Sequence, residues 1–300
     1  MGGERRRSFL RAAIVTLGIG LFLLLLIFGL AFFLGKWDEF GGPKVALLEV
    51  DGLITNSEQV IEHIRHHMEN ETVRAFVIRI NSPGGGVAPS QEIYEEIKKV
   101  RQMHEKPVVA SLATVGASGG YYIAAAADKI VANPGSITGS IGVIIQIPNI
   151  SDLLNKVGIR SVIIKSGRYK DLASATRELT PAERELLQQL IDDIHDQFIE
   201  AVAEGRGLSR EQVETVADGR IFSGRQALEL GLVDQLGNLQ DAIDTAAKMG
   251  GIEGRPQIVQ IKERKFSLLG LLLGNATTTW HEKLLGGEGA RFSVDYLWRW

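Results

Sequence analysis

The sequence contains no cysteine, and this absence removes several kinds of chemistry at once. Without cysteine the chain can form no disulfide, no thiolate metal site and no cysteine nucleophile. It also lacks a strong charge of either sign, because 33 basic and 36 acidic residues leave a formal net charge of −3. A nearly neutral chain that is 45% hydrophobic is neither a disordered tail nor a typical nucleic-acid-binding protein. Any catalysis must therefore use oxygen or amine groups.

Histidine is also scarce, with six residues in the whole chain. Three of them, His63, His66 and His67, lie on a predicted helix among charged neighbours, and this predicts a solvated face and not a metal site. His195 falls in a polar stretch of the longest predicted helix, where we expect another surface residue. The sequence therefore places no histidine as a catalytic base, and we expect no metal and no cofactor.

The first part of the chain combines a basic segment with a long apolar one. Residues 1–11 carry a local charge of +3, and residues 12–34 contain no charged residue. At 1.5 Å per residue, such a helix spans a hydrocarbon layer of roughly 30 Å. The residues directly after this apolar segment lack the small-residue pattern of a signal-peptide cleavage site, and they include Trp37. Both features favour a retained anchor over a cleaved signal. We expect residues 1–11 in the cytoplasm, a transmembrane anchor at 12–34 and the rest of the chain on the outer face of the cell membrane.

From residue 43 onward, short apolar runs alternate with amphipathic stretches. This alternation predicts an α/β fold with a largely parallel sheet and crossover helices, over a domain that spans residues 43–265. Capping boxes that begin at Thr180, Ser209 and Ser223 predict three helix starts, and Thr180 opens the longest helix. The predicted strands are 45–50, 73–80, 107–112, 129–132, 141–145 and 160–164.

Residues 266–300 differ in their residue pattern from the domain before them. They begin with an apolar run that is too short to span a bilayer and end in an aromatic, basic segment. This pattern predicts a C-terminal tail that docks on the domain, on a neighbouring molecule or on the membrane surface.

Three predicted loops carry groups that could support chemistry. The glycine loop NSPGGG at 81–86 leaves backbone N–H groups uncovered, so it could hold an oxyanion or form a plain turn. Ser118, in the sequence GASGG, has the setting of a nucleophile at a strand-to-helix turn, or of a helix N-cap. The loop KSGRYKD at 165–171 holds two lysines. A lysine in such a loop is solvated unless burial lowers its pKa from about 10.4 toward 7, which a general base requires.

These loops occur together with two further motifs in a characteristic order. GSITGSIGV occupies residues 135–143 and DGRIFSGRQALELGLVDQLG occupies residues 218–237. Over about residues 43–250, the chain closely resembles the bacterial signal peptide peptidase A family of membrane-anchored serine peptidases. The resemblance implies the Clp protease/crotonase fold, with parallel-sheet ββα units and C-terminal helices.

The resemblance also implies a Ser-Lys dyad. By position in the motifs, Ser118 is the nucleophile, Lys170 is the general base and Ser140 is the hydroxyl that positions the lysine amine. The backbone N–H groups of Gly85 and Gly119 correspond to the oxyanion donors, although the choice among the three glycines of the loop stays open.

For the whole protein, the resemblance implies an endopeptidase that degrades remnant signal peptides, and other unfolded or membrane peptides, through an acyl-enzyme intermediate. It implies a homo-oligomer of about eight protomers in which neighbouring copies complete each dyad. Lys165 is the competing candidate for the base. Two alternatives stay open, a catalytically silent membrane scaffold or chaperone and a crotonase-like acyl-CoA enzyme, and it is also open whether the tail seals the oligomer or enters a groove.

Overall fold

The computed structural model describes residues 18–30, 42–260 and 295–297, and the chain divides into two units at residues 43 and 44. In the first unit, residues 18–30 form helix α1, whose side chains are exposed. The remainder of the predicted anchor, 12–17 and 31–34, lies outside the described residues, as does the predicted cytoplasmic segment 1–11. Within the described ranges, no helix has both the length and the apolarity needed to cross a bilayer.

The second unit is built on a largely parallel sheet, which confirms the predicted α/β class. Its strands are β1 Lys44–Asp51, β2 Val73–Ser82, β3 Gly84–Gly86, β4 Val108–Ala117, β5 Lys129–Ala132, β6 Ile137–Gly139, β7 Ile221–Ser223, β8 Gln235–Leu236, β9 Gln257–Val259 and β10 Asp295–Leu297. The eight-stranded sheet has the order β7-β6-β4-β2-β1-β9, with β5 beside β4 and β8 beside β5. Only the pair β6–β7 in it is antiparallel among the described strands. Strands β3 and β10 form a separate antiparallel pair.

Helices cover both faces of this sheet. They are α2 Glu58–Met68, α3 Val87–Met103, α4 Gly119–Ala125, α5 Ser151–Lys156, α6 Pro181–Arg206, α7 Arg210–Glu214, α8 Gly224–Glu229 and α9 Leu239–Met249. The capping boxes at Thr180, Ser209 and Ser223 are all present, so the three predicted helix starts are confirmed. Each box satisfies backbone N–H groups that the first helical turn leaves without partners.

The core lies on either side of the sheet. On one face, α9 packs its small and branched side chains against β1, β2 and β4. On the other face, α4 is buried along its whole length between the sheet and α6. Helix α6 approaches so closely that a Cβ at Gly205 would lie 2.0 Å from the carbonyl oxygen of Ala125. The small residues of α4 and α6 therefore fix the element that begins directly after Ser118.

Two predicted strands are wrong. Within 141–145, Ile144 alone pairs, in an isolated bridge, and the strand in this region is β6, which ends at Gly139. Residues 160–164 belong to no strand, and Val162 and Ile164 are 83% and 97% exposed. An apolar, β-branched run forms a strand only where an edge offers it backbone partners, and 160–164 meets none in the described part of the chain.

The prediction of a solvated histidine face is wrong at His67. Its side chain is buried at 6% exposure, and neither ring nitrogen has a hydrogen-bond partner among the described residues. Burial, aided by the nearby His66, His63 and Lys106, lowers the pKa of His67 to about 4. A neutral imidazole therefore sits at the end of α2, edge-on to the ring of His66.

We expect this burial to make stability depend on pH. Because the pKa of His67 is near 4 when folded and about 6.5 when unfolded, the unfolded chain binds more protons between these values. The contribution is fully present above pH 6.5 and is lost as pH falls toward 4. Urea denaturation of wild type and His67→Leu at pH 4.5, 5.5 and 7 should therefore show a stability difference that changes by up to about 3 kcal/mol. His66→Gln, at an exposed position, should follow wild type; parallel curves for wild type and His67→Leu would contradict this prediction.

Candidate active site

Ser118 occupies the sharp junction between β4 and α4. Its φ of 52° and ψ of −118° are unfavourable for a residue with a side chain. Its backbone is held on both sides, because its N–H donates to the carbonyl of Gly139 at 2.8 Å and its carbonyl accepts from the N–H of Tyr122 at 2.8 Å. Its hydroxyl is buried, and Oγ has no hydrogen-bond partner among the residues that the structure describes. Ser118 does occupy the N-cap position of α4, but its side chain makes no capping hydrogen bond, so capping does not account for the hydroxyl.

Ser140 lies at the end of the neighbouring strand. Strands β4 and β6 are parallel with Ala117 opposite Gly139, so Ser118 and Ser140 leave the sheet at the same level. Ser140 also has a positive φ, 51°, and its N–H donates to the carbonyl of Arg220 at 2.8 Å. Its side chain is only 6% exposed. The fold thus brings two of the predicted site residues to one edge of the sheet.

The glycine strand β3 lies against the turn that carries Ser118. A Cβ at Gly84, whose φ is +105°, would stand 2.7 Å from the backbone nitrogen of Gly119. The N–H of Gly84 donates to Ser82 Oγ at 3.0 Å, and that of Gly86 donates to the carbonyl of Ile54 at 2.8 Å. The N–H groups of the first and third glycines are therefore already used within the domain. Gly85 is the glycine of the triplet whose N–H can face the free side of β3, away from Ile54.

A peptide segment of the chain itself lies along this glycine strand. In β10, Tyr296 pairs with Gly85, and Asp295 exchanges two backbone hydrogen bonds of 3.1 and 3.2 Å with Ile144. Because successive residues of a strand turn their N–H and C=O groups to opposite sides, Asp295 faces Ile144 and Tyr296 faces Gly85. The Tyr296 carbonyl oxygen is 3.2 Å from the point where a Cβ of Gly119 would stand. One carbonyl of a bound strand therefore lies beside both glycines that the sequence singles out.

The lysine loop is on the surface. Lys170 is exposed, whereas the Nζ of Lys165 donates to the carbonyl of Arg168 at 2.9 Å and forms an ion pair with Asp171. Since Ser118 Oγ has no partner in the described residues, neither lysine bonds it. The structure of one chain therefore does not bring the predicted dyad together.

An ion-pair network fixes this loop at the start of α6. Arg177 bridges the carboxylates of Asp171 and Glu183, with a contact of 2.8 Å to the former and 2.5 Å to the latter. Hydrogen bonds from Arg177 and Lys165 hold the pKa of Asp171 well below its ordinary value, and the hydrogen bond from Arg177 lowers the pKa of Glu183 to about 2. Both carboxylates stay charged at neutral pH, so the loop remains tethered.

Sequence reasoning missed the backbone pairing around the bound segment. Ile54 pairs with Gly85 of the glycine strand, Ile144 pairs with Asp295, and Tyr296 pairs with Gly85. The register of such pairing cannot be read from side-chain types. The one available signal was the aromatic character of the last residues of the tail, which predicted docking without a location.

The arrangement can support acyl transfer, because it combines an unused hydroxyl, backbone N–H donors and a strand-binding edge. The profile of peptidase family S49 matches residues 100–253. A protein of Synechocystis provisionally named a protease is 49% identical over 212 residues, which are 70% of this chain and 76% of that protein. A protein of Enterococcus faecium, provisionally named signal peptide peptidase SppA, is 34% identical over 250 residues, which are 79% of this chain and 72% of that protein.

A third relative is longer. The chloroplast serine protease SPPA of Arabidopsis thaliana is 36% identical over 80% of this chain and 35% of its own length. The chain thus belongs to peptidase family S49, and it is a serine protease.

We expect the serine at position 118 to lower the free energy of unfolding relative to glycine at the same position. Replacing Ser118 by Gly removes an unpaired buried hydroxyl and relieves a positive φ, which together outweigh the added chain entropy of glycine. Urea denaturation should show Ser118→Gly to be more stable than wild type by about 1–2 kcal/mol. Ser136→Ala is the matched control, because it removes a buried hydroxyl that does bond, at 2.5 Å to the carbonyl of Ala113, and should be destabilising. Equal losses in the two variants would contradict the strain argument.

Proposed function

We propose that this protein is a membrane-anchored endopeptidase that cleaves peptides with a Ser-Lys dyad through an acyl-enzyme intermediate. The observation that carries the proposal is the Ser118 hydroxyl, which is buried, unpartnered in the described structure and held at a strained strand-to-helix turn. A buried hydroxyl without a partner is costly, and such costs are concentrated at functional sites. The neighbouring glycine strand adds a backbone edge on which a peptide can be laid.

In the proposed mechanism, Lys170 in its neutral form takes the proton of Ser118, whose Oγ attacks the peptide carbonyl carbon. The carbon–nitrogen bond then breaks, and the protonated lysine gives its proton to the leaving amine. Water, activated by the same amine, releases the acyl group from Ser118. Ser140 lies beside Ser118 at the sheet edge, where its hydroxyl can orient the amine.

Gly85 and Gly119 supply the oxyanion donors in this scheme. The Tyr296 carbonyl oxygen, which lies beside both glycines, supports this choice because it marks where a substrate carbonyl can sit. Preorganised N–H donors of this kind are typically worth about 10²–10³ in turnover.

The base comes from a second copy of the chain in this proposal. Within one chain Lys170 is exposed to solvent, while Lys165 is engaged by Asp171, so neither amine is placed to take the serine proton. The segment just before this loop exposes a set of large apolar side chains, which supports burial between copies of the chain. These residues are Ile150, Leu153, Val157, Ile159, Val162, Ile163 and Ile164. The proposed number of copies, about eight, comes from the family resemblance.

The remaining parts of the proposal concern fold family, location and substrate. The parallel sheet with its strand-to-helix serine turn is compatible with the Clp protease/crotonase fold. Residues 12–34 are the proposed single-pass anchor, with the catalytic domain on the outer face of the cell membrane, where remnant signal peptides are released. The name of the Enterococcus faecium relative supports that substrate class.

Alanine substitutions should distinguish which of the two lysines, Lys165 or Lys170, is the general base. In a cleavage assay with an unstructured reporter peptide, Ser118→Ala and Lys170→Ala should each lose at least about 10³-fold in kcat/KM, because nucleophile and base act as a unit. Lys165→Ala removes a loop lysine whose charge is paired, and should retain most activity. The wild-type kcat/KM should rise toward alkaline pH, as expected for an amine base. An inactive Lys165→Ala beside an active Lys170→Ala would reassign the base; activity indifferent to Ser118 would reject the peptidase proposal.

Mixing inactive subunits should test the shared dyad. If each site takes its serine from one copy and its lysine from another, random co-assembly of Ser118→Ala and Lys170→Ala chains in equal amounts should restore about a quarter of wild-type activity. The two variants are to be unfolded together and refolded, and then assayed on the same peptide. Ser118→Ala refolded alone is the control. No recovery, with intact oligomers by light scattering, would place both groups in one chain.

A further inference from the structure

A buried serine lies between the two turns that carry the proposed oxyanion donors. Ser90, near the start of α3, has a fully buried side chain, and its hydroxyl donates to the carbonyl of Gly86 at 2.9 Å. On its other side, a Cβ at Gly119 would stand 2.6 Å from Ser90 Oγ, so this oxygen packs against the bare Cα of Gly119. One side-chain oxygen therefore contacts both the end of β3 and the start of α4.

Packing of α3 does not by itself account for this hydroxyl. Ser90 lies on the helix face that also buries Ile93, Ile97 and Val100. Alanine has a higher helix propensity than serine and would occupy nearly the same space without burying a polar group. A serine hydroxyl that bonds the carbonyl four residues earlier adds little to the stability of its helix. The hydroxyl is therefore better explained by the two turns that it contacts than by α3 itself.

The directions of the two donor N–H groups follow from the planarity of the peptide bond. The Gly84 carbonyl accepts from the Ile54 N–H at 3.0 Å, so the N–H of Gly85, in the same trans peptide, points the opposite way. The Ser118 carbonyl likewise accepts at 2.8 Å from an N–H one turn into α4, so the N–H of Gly119 points out of the start of that helix. Both directions are fixed by anchored carbonyls, and the separation of the two peptides is the quantity that is left to set.

This separation decides whether both donors can reach one oxygen. Oxyanion donors act when they lie about 2.7–3.1 Å from the oxygen that develops charge, and such a site must be held within about 0.5 Å. The gap between the two turns is narrow, because a Cβ at Gly84 would stand 2.7 Å from the nitrogen of Gly119. At the Gly86 end, Ser90 Oγ lies between them. Removal of that atom would let the turns shift relative to each other.

We propose that Ser90 is a positioning residue, whose hydroxyl holds β3 and Gly119 at the separation that places both N–H groups on the oxyanion. This inference rests on the proposed peptidase function and adds to it a residue that does not touch the substrate. The oxyanion forms only when Ser118 attacks the substrate carbonyl. Loss of the Ser90 hydroxyl should therefore lower kcat and leave binding of the uncleaved peptide nearly unchanged.

The first test measures kcat and KM separately in the full chain, with an unstructured reporter peptide. Ser90→Ala should lower kcat at least about tenfold, because small misplacements at a reacting centre are costly, and should keep KM within about twofold. Thr245→Ala is the matched control. It removes a hydroxyl that donates to the carbonyl four residues earlier, Asp241, at 2.7 Å, in helix α9 on the opposite face of the sheet. Both constants should be unchanged in this control.

The second test uses an inhibitor that creates the oxyanion. When a peptidyl trifluoromethyl ketone binds, Ser118 Oγ adds to its carbonyl carbon, the serine proton passes to the base, and the carbonyl oxygen becomes negatively charged. The Ser90→Ala variant should bind this ketone more weakly by a factor close to its loss in kcat. It should bind the matching peptidyl alcohol, which forms no bond to the serine, as wild type does. Equal losses of affinity for the ketone and the alcohol would overturn the positioning role.

The outcomes separate this inference from the proposal on which it rests. Cleavage that is lost in Ser118→Ala but has an unchanged kcat in Ser90→Ala would overturn the inference and leave the peptidase proposal standing. Cleavage that does not depend on Ser118 would overturn both. Urea denaturation checks the fold of each variant. Should Ser90→Ala fail to fold, Ser90→Cys, which fills the position with a weak donor, is measured in its place with the same expected results.

Discussion

The close approach of two backbone turns is the constraint on which the site depends. At Gly84 there is no room for a side chain, because a Cβ would lie 2.0 Å from the carbonyl oxygen of Tyr296 and 2.7 Å from the nitrogen of Gly119. At Gly119 a Cβ would meet Ser90 Oγ at 2.6 Å. Bare backbone on both turns lets a third strand enter beside the serine. Peptide binding and the exposure of N–H donors are therefore consequences of the same lack of side chains.

The hydroxyl of Ser118 lacks a hydrogen-bond partner among the described residues, and the amine of Lys170 is a group that could supply one. Ser118 has a buried oxygen without a partner in the described structure, and Lys170 has an amine in solvent. In the proposed mechanism the lysine takes a proton and must therefore be neutral, which a drier environment than the surface of one chain would favour. The apolar residues exposed just before the lysine loop could provide that environment when a second copy covers them. Under the proposed mechanism, assembly and activation of the base would be a single event.

The rings of Tyr122, Phe198 and Tyr296 form one aromatic cluster that belongs both to the core and to the surroundings of the site. Phe198 and Tyr122 belong to the main hydrophobic core, where burial raises the pKa of Tyr122 to about 12 and keeps its hydroxyl neutral. The same two rings hold the side chain of Tyr296. Rings that belong to the core are closely packed, so changing either of them also changes packing in the core.

The sequence by itself determined the features that depend on local chemistry. Capping boxes at Thr180 and Ser209 fix helix starts through hydrogen bonds within one turn, and small residues around Ser118 permit its sharp turn, so both could be predicted. The tertiary structure decided what depends on distant partners. Residues 160–164 have the composition of a strand but meet no edge in the described structure, and the burial of Tyr296 follows from pairing with Gly85, more than two hundred residues away in the sequence. Backbone pairing is nearly blind to side-chain identity, so only the fold selects which segments meet.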